Sequence, residues 1–90
     1  MKRVNLKIRG RVQGVGYRMY AQEEAERLGL TGWIRNAYDG SVEAVAEGDK
    51  RSLEEFAKWC HQGPPTARVT GVETVYSEAT DEFGGFSVSY

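Results

Sequence analysis

Gly10-Arg11-Val12-Gln13-Gly14-Val15-Gly16-Tyr17-Arg18 places three glycines in nine positions, between an alternating apolar run and a charged amphipathic one. Glycine reaches positive φ without steric cost and lets other groups approach the main chain closely. A strand that empties through such a loop into a helix leaves several N–H groups aimed one way, at the positive end of the helix dipole. That arrangement suits an anion. A tight strand–helix connection that needs glycines only for its geometry would use the same residues, and spacing does not separate the two.

Upstream of the loop, Val4, Leu6 and Ile8 alternate with Asn5, Lys7 and Arg9, the period-2 pattern of a half-buried strand. Downstream, from about Arg18 to Leu28, the composition is helical, with Ala21, Ala25 and Leu28 at i, i+4 and i+7 and Gly29 as the stop. Arg18 falls three residues before Ala21, on the stripe expected to face a sheet. At a helix N-terminus an inward cation calls for an anion. Residues 31–39 read as a second strand turning at Asp39-Gly40, and 41–47 return as a third. Asp49 or Ser52 can cap a second helix that carries Leu53, Phe56, Ala57 and Cys60 on one face and ends at Gly63-Pro64-Pro65. Residues 68–78 form a fourth strand with a bulge expected at Gly71, and Phe86, Val88 and Tyr90 alternate as a short last one. The order is β-α-β-β-α-β with a possible extra C-terminal strand. It predicts an α+β, ferredoxin-like sandwich: an antiparallel sheet with two helices on one face.

Ninety residues, 40 % hydrophobic and 28 % charged, predict one globular domain spanning residues 1–90. A net charge of −1 argues against nucleic acid, whose backbone demands a cationic excess. The outward positions of strands one and three hold Asn5, Lys7, Arg9, Glu43, Val45 and Glu47 rather than stacking aromatics. Those charges are expected to pair across the strands. A single cysteine and a single histidine exclude an internal disulfide and any cluster of cysteine or histidine ligands. No run approaches a membrane span, and no signal sequence is legible, so a cytoplasmic monomer is the default.

Few residues could carry chemistry. The loop lacks the Gly-Lys-Ser/Thr ending of a Walker A motif, and Met19 stands where a dinucleotide fingerprint needs its third glycine. Asn36 shares a strand face with Ile34, an unusual place for a carboxamide. It either sits beside the loop as a functional group or prepares the following turn. His61 reads as a polar-face residue at a helix C-terminus, and Cys60 as a small core residue.

These residues together resemble the acylphosphatase family. One signature is carried by Ile8, Gly10, Val12-Gln13-Gly14-Val15 and Tyr17-Arg18, and a second by Gly32-Trp33-Ile34-Arg35-Asn36, Gly40-Ser41-Val42 and Gly48. Two departures stand out: Gly16 where animal members tend to carry an aromatic, and Ile34 where a smaller aliphatic is common. The resemblance implies metal-independent hydrolysis of acyl phosphates, with no cofactor and with inorganic phosphate as product and inhibitor. It assigns the phosphoryl group to Arg18 and to a cradle of Gln13, Gly14, Val15, Gly16, Tyr17 and Arg18, and the attacking water to Asn36. A non-catalytic phosphate- or carboxylate-binding module on the same fold is the rival reading.

Overall fold

A computed structural model describes residues 1–90. Its elements are β1 (Lys2–Arg11), α1 (Tyr17–Arg27), β2 (Thr31–Asn36), β3 (Val42–Gly48), α2 (Lys50–Gln62), β4 (Arg68–Glu78) and β5 (Phe86–Ser89). The strands form one sheet in the order β4-β1-β3-β2-β5. β1 to β4 pair antiparallel, as expected of a ferredoxin-like sandwich, but β5 lies parallel to β2. The sheet is therefore mixed rather than wholly antiparallel. The cause is topological. β4 ends beside Lys2, and the 79–85 loop carries the chain along that end of the sheet to the opposite edge. β5 then starts next to Gly32 and runs the same way as β2.

Both helices cover the face on which Val4, Leu6, Ile8, Ile34, Val42, Ala44 and Ala46 are buried. α2 buries the four residues its periodicity names, and Phe56 meets Phe86 edge-on at 5.8 Å. The Asp49 side chain caps it, accepting from the Ser52 N–H at 2.9 Å. α1 differs from expectation. Its buried residues are Tyr17, Ala21 and Ala25, while Leu28 is half-buried and Arg18 lies to one side of the stripe. An aromatic ring gains by burial, whereas an unpaired guanidinium in the core would cost far more than the ring gains.

Tyr17 also solves a problem at the end of α2. The Cys60 carbonyl would ordinarily accept from residue 64, which is a proline and has no N–H. The Tyr17 hydroxyl donates to it instead, at 2.7 Å, and so ties the start of one helix to the end of the other.

The bulge lies next to Gly71. Arg9 faces Gly71 while Gly10 faces Val69, so Thr70 is the extra residue of β4. There β4 approaches β1 so closely that a Cβ on Gly10 would stand 2.2 Å from the Arg68 carbonyl oxygen. β2 stops at Asn36, three residues short of the predicted strand. The Ala37 N–H donates to the Ser41 carbonyl at 2.9 Å, and the Asp39 carboxylate accepts from the Ser41 N–H at 3.0 Å, so the turn claims those residues.

On the uncovered face Lys7 pairs with Glu43, as its strand register suggests. Glu47 also pairs across β1 and β3, with Arg3, whereas Arg9 turns to the strand on the other side of β1. Arg9 reaches Glu73 of β4 at 2.9 Å, and Glu47, on this same face opposite Arg3, is buried. Glu47 accepts from Arg3 at 2.7 Å and from the N–H groups of Thr80 and Asp81 at 3.0 Å each. The β4–β5 loop folds over this carboxylate. No helix of the chain is long and apolar enough to cross a membrane.

Candidate active site

The loop, the start of α1, the end of β2 and the end of β5 meet at one end of the sheet. Register brings them there: Asn36 lies opposite Val42, which lies opposite Ile8, and Ser89 lies opposite Arg35. Between them is a cavity of about 180 Å³, to which Gly14, Gly16, Arg18 and Asn36 all contribute.

Gly14 and Gly16 have φ of 74° and 79°. These left-handed turns fold the main chain back so that it enters α1 at Gly16, which caps the helix without a side chain. The first internal bond of the helix runs from the Tyr20 N–H to the Gly16 carbonyl at 3.2 Å. The main-chain N–H groups from Gln13 to Met19 therefore meet no protein acceptor, and no acidic side chain occupies the first turn. The positive end of the dipole is left uncompensated.

Arg18 is half-buried at the rim. Its Nη1 donates to the Ser89 carbonyl at 3.0 Å, and its guanidinium lies over the Tyr90 ring, 4.8 Å from the centroid. One carbonyl and one ring hold the fork in place without neutralising it. Asn36 ends β2 on the same side as the buried Ile34, exposed at the cavity. No protein group engages its carboxamide, which is free to donate and to accept.

Two of the six predicted cradle residues support the loop from outside the cavity. The Gln13 side chain donates to the Ala37 carbonyl at 2.8 Å and the Ser41 carbonyl at 2.9 Å, which clamps the loop to the turn that follows Asn36. The Val15 carbonyl accepts from the Thr66 hydroxyl at 2.6 Å. Gly14, Gly16, Tyr17 and Arg18 line the cavity, Tyr17 with its main chain, since its ring is in the core. Val12, Met19, Gln22, Val88 and Tyr90 complete the wall, and none of them was read as a site residue from the sequence. Gln22 donates to the Phe86 carbonyl at 3.0 Å, one helical turn beyond the bond from Arg18 to Ser89. Both bonds depend on the parallel placement of β5, which alternation alone does not reveal.

No side chain lining the cavity carries a carboxylate, imidazole, amine or thiol. Behind it, burial raises the Tyr17 hydroxyl far above its ordinary range, with Cys60 adding to the effect. Burial likewise pushes the Cys60 thiol up to about 12, and the hydrogen bond from Tyr17 only partly counters it. Neither group is ionised near neutral pH, and a buried thiol of this kind is inert. His61 lies on the exposed side of α2, its Nδ1 2.9 Å from the Ala57 carbonyl. The site can therefore hold an anion and a water, but it offers no side chain of intermediate pKa to move a proton.

Known proteins share this chain's sequence and its fold. The profile of the family described as acylphosphatase matches residues 4–88. An acylphosphatase of Methylococcus capsulatus is 53 % identical over 88 residues, covering 98 % of this chain and 96 % of that protein. One from Thermococcus kodakarensis is 53 % identical over 90 residues, covering 98 % of each. The crystal structure of acylphosphatase from Bacillus subtilis superposes with a TM-score of 0.96 at 37 % identity, each chain covered completely. Matched from one end of its sheet to the other, in sequence and in fold, the chain belongs to the acylphosphatase family.

Proposed function

We propose that the chain hydrolyses the carboxyl–phosphate bond of acyl phosphates, releasing a carboxylate and inorganic phosphate. The observation that carries this reading is the convergence on one cavity of unpartnered main-chain N–H groups, an uncompensated guanidinium and a free carboxamide. In the proposal Arg18 and the loop N–H groups from Gln13 to Arg18 bind the phosphoryl oxygens, and Asn36 holds the attacking water.

Phosphoryl transfer asks mainly for positioning and charge stabilisation, because its transition state is loose and its charge lies on three equatorial oxygens. A guanidinium takes two of these in a fork, and main-chain N–H groups take the others. Water oxygen attacks phosphorus as the bond to the carboxylate oxygen breaks, and the electron pair leaves with the carboxylate. The conjugate acid of that leaving group has a pKa of about 4, so it departs without a proton. No general acid is needed. Asn36 both donates and accepts but cannot take a proton, so it orients the water without deprotonating it. The water's proton passes to a phosphate oxygen of the substrate itself. This suits a cavity whose lining side chains include no carboxylate or imidazole.

The test is hydrolysis of benzoyl phosphate in excess EDTA, with Arg18→Gln and Asn36→Ala as controls. Turnover that survives the chelator and falls in both variants supports the reading. Phosphate binding with benzoyl phosphate left intact would make the chain a binding module instead. Activity lost with the chelator would remove the metal-independent route.

A further inference from the structure

One side chain holds the glycine loop from behind without lining the cavity. Thr66 sits in the turn between α2 and β4, and its Oγ1 donates to the Val15 carbonyl at 2.6 Å. That turn is stiff. Pro64 and Pro65 restrict φ, and the Ala67 N–H returns to the Pro64 carbonyl at 3.0 Å.

The consequence lies in one peptide plane. In a trans peptide the carbonyl and the following N–H point in opposite directions, and the chain has no cis bond. Drawing the Val15 carbonyl towards Thr66 turns the Gly16 N–H the other way, and Gly16 lines the cavity with Arg18 and Asn36. No hydrogen bond within the loop selects that orientation. That peptide turns about Val15 ψ and Gly16 φ, and glycine accepts either sign of φ. Half a rotation of the Val15–Gly16 peptide would exchange the N–H for a carbonyl oxygen, which repels an anion.

We propose that Thr66 is a positioning residue whose hydroxyl latches the Val15–Gly16 peptide with its N–H towards the bound phosphoryl group. The proposal rests on the reading of this cavity as the phosphoryl site. A latch of this kind acts on bound phosphate and bound substrate alike, because the oxygen it serves is present in the ground state and in the transition state. Removing it raises KM more than it lowers kcat.

The experiment is a titration of inorganic phosphate followed by amide NMR, together with benzoyl phosphate kinetics, on wild type, Thr66→Val, Thr66→Ser and Arg18→Gln. The hydroxyl bond contributes on the scale of one net hydrogen bond. Thr66→Val is thus expected to weaken phosphate binding and raise KM by about three- to tenfold. Its Gly16 amide should broaden by exchange in the absence of phosphate. Thr66→Ser should match wild type in each respect. Because Thr66 is exposed, the unfolding midpoint of Thr66→Val should stay within about 2 °C of wild type. Wild-type phosphate affinity and a sharp Gly16 amide in Thr66→Val would overturn the latch, as would a Thr66→Ser variant as impaired as Thr66→Val. If Arg18→Gln binds phosphate as tightly as wild type, the phosphoryl-site reading fails and the latch fails with it. The first two results leave that reading intact.

Discussion

Tyr17 and Arg18 are neighbours with opposite tasks, and a helix separates them by about 100° of rotation. One side chain fills the core and satisfies the Cys60 carbonyl, while the other reaches the rim of the cavity. Tyr17→Phe removes the only donor to a buried carbonyl, so it should cost about 1–2 kcal/mol in chemical denaturation. KM for benzoyl phosphate should stay unchanged, since the ring points away from the cavity. Arg18→Gln should lose both phosphate affinity and turnover, the latter by about 10³–10⁵, because bound substrate and transition state carry similar charge. Asn36→Ala should lose turnover while binding inorganic phosphate as wild type does; near-normal benzoyl phosphate hydrolysis would remove the water-holding role. Arg18 drew attention as a cation expected on an inward stripe, which the structure moves to the rim, and Asn36 as a carboxamide in a strand; the family resemblance gave both their roles. Gln13 was legible as part of a motif but not as a clamp, and Thr66 not at all. A polar residue in a turn is ordinary, and nothing in its spacing says which distant carbonyl it serves.

Among the elements, those defined by their own periodicity read correctly from the sequence: β1 by alternation, α2 by its apolar face and by Asp49 and Gly63 at its ends. Asp49→Ala should lower stability by about 1 kcal/mol through loss of the cap, with phosphate affinity unaffected because α2 begins at the end of the sheet away from the cavity. Circular dichroism melts and a phosphate titration check both halves of that statement. Elements defined by their neighbours read less well. The buried stripe of α1 holds two alanines, too little apolar contrast to show that Tyr17 rather than Leu28 completes it. β2 lost its last predicted residues to a turn stabilised by Asp39, whose carboxyl is held well below its usual range by the Ser41 hydroxyl and N–H and then by Lys7. The direction of β5 depends on where the 79–85 loop is anchored, and its anchor, Glu47, lies more than thirty residues away in the chain.

Across the whole molecule, the Glu47 cluster and the cavity occupy opposite ends of the sheet. Burial pushes the Glu47 carboxyl up, but the Thr80 N–H, the Arg3 side chain and the Asp81 N–H outweigh it and hold the pKa below the ordinary carboxylate value. A group depressed on folding stabilises the protein above its unfolded pKa, near 4.3, and that contribution disappears as pH falls through the folded value. Urea stability should therefore decline below about pH 4. Glu47→Gln should flatten that decline while costing about 1.5–3 kcal/mol at pH 7. The parallel course of β5 has a practical side as well. It delivers Tyr90 to the rim of the cavity, whereas Lys2 lies at the far end of a molecule 31 Å long. The two chain ends are thus unequal as attachment points. An uncharged Gly-Ser tail joined after Tyr90 should crowd Arg18 and raise KM, while the same tail before Met1 should leave the kinetics untouched. Immobilisation or fusion through the amino end would leave the mouth of the cavity open.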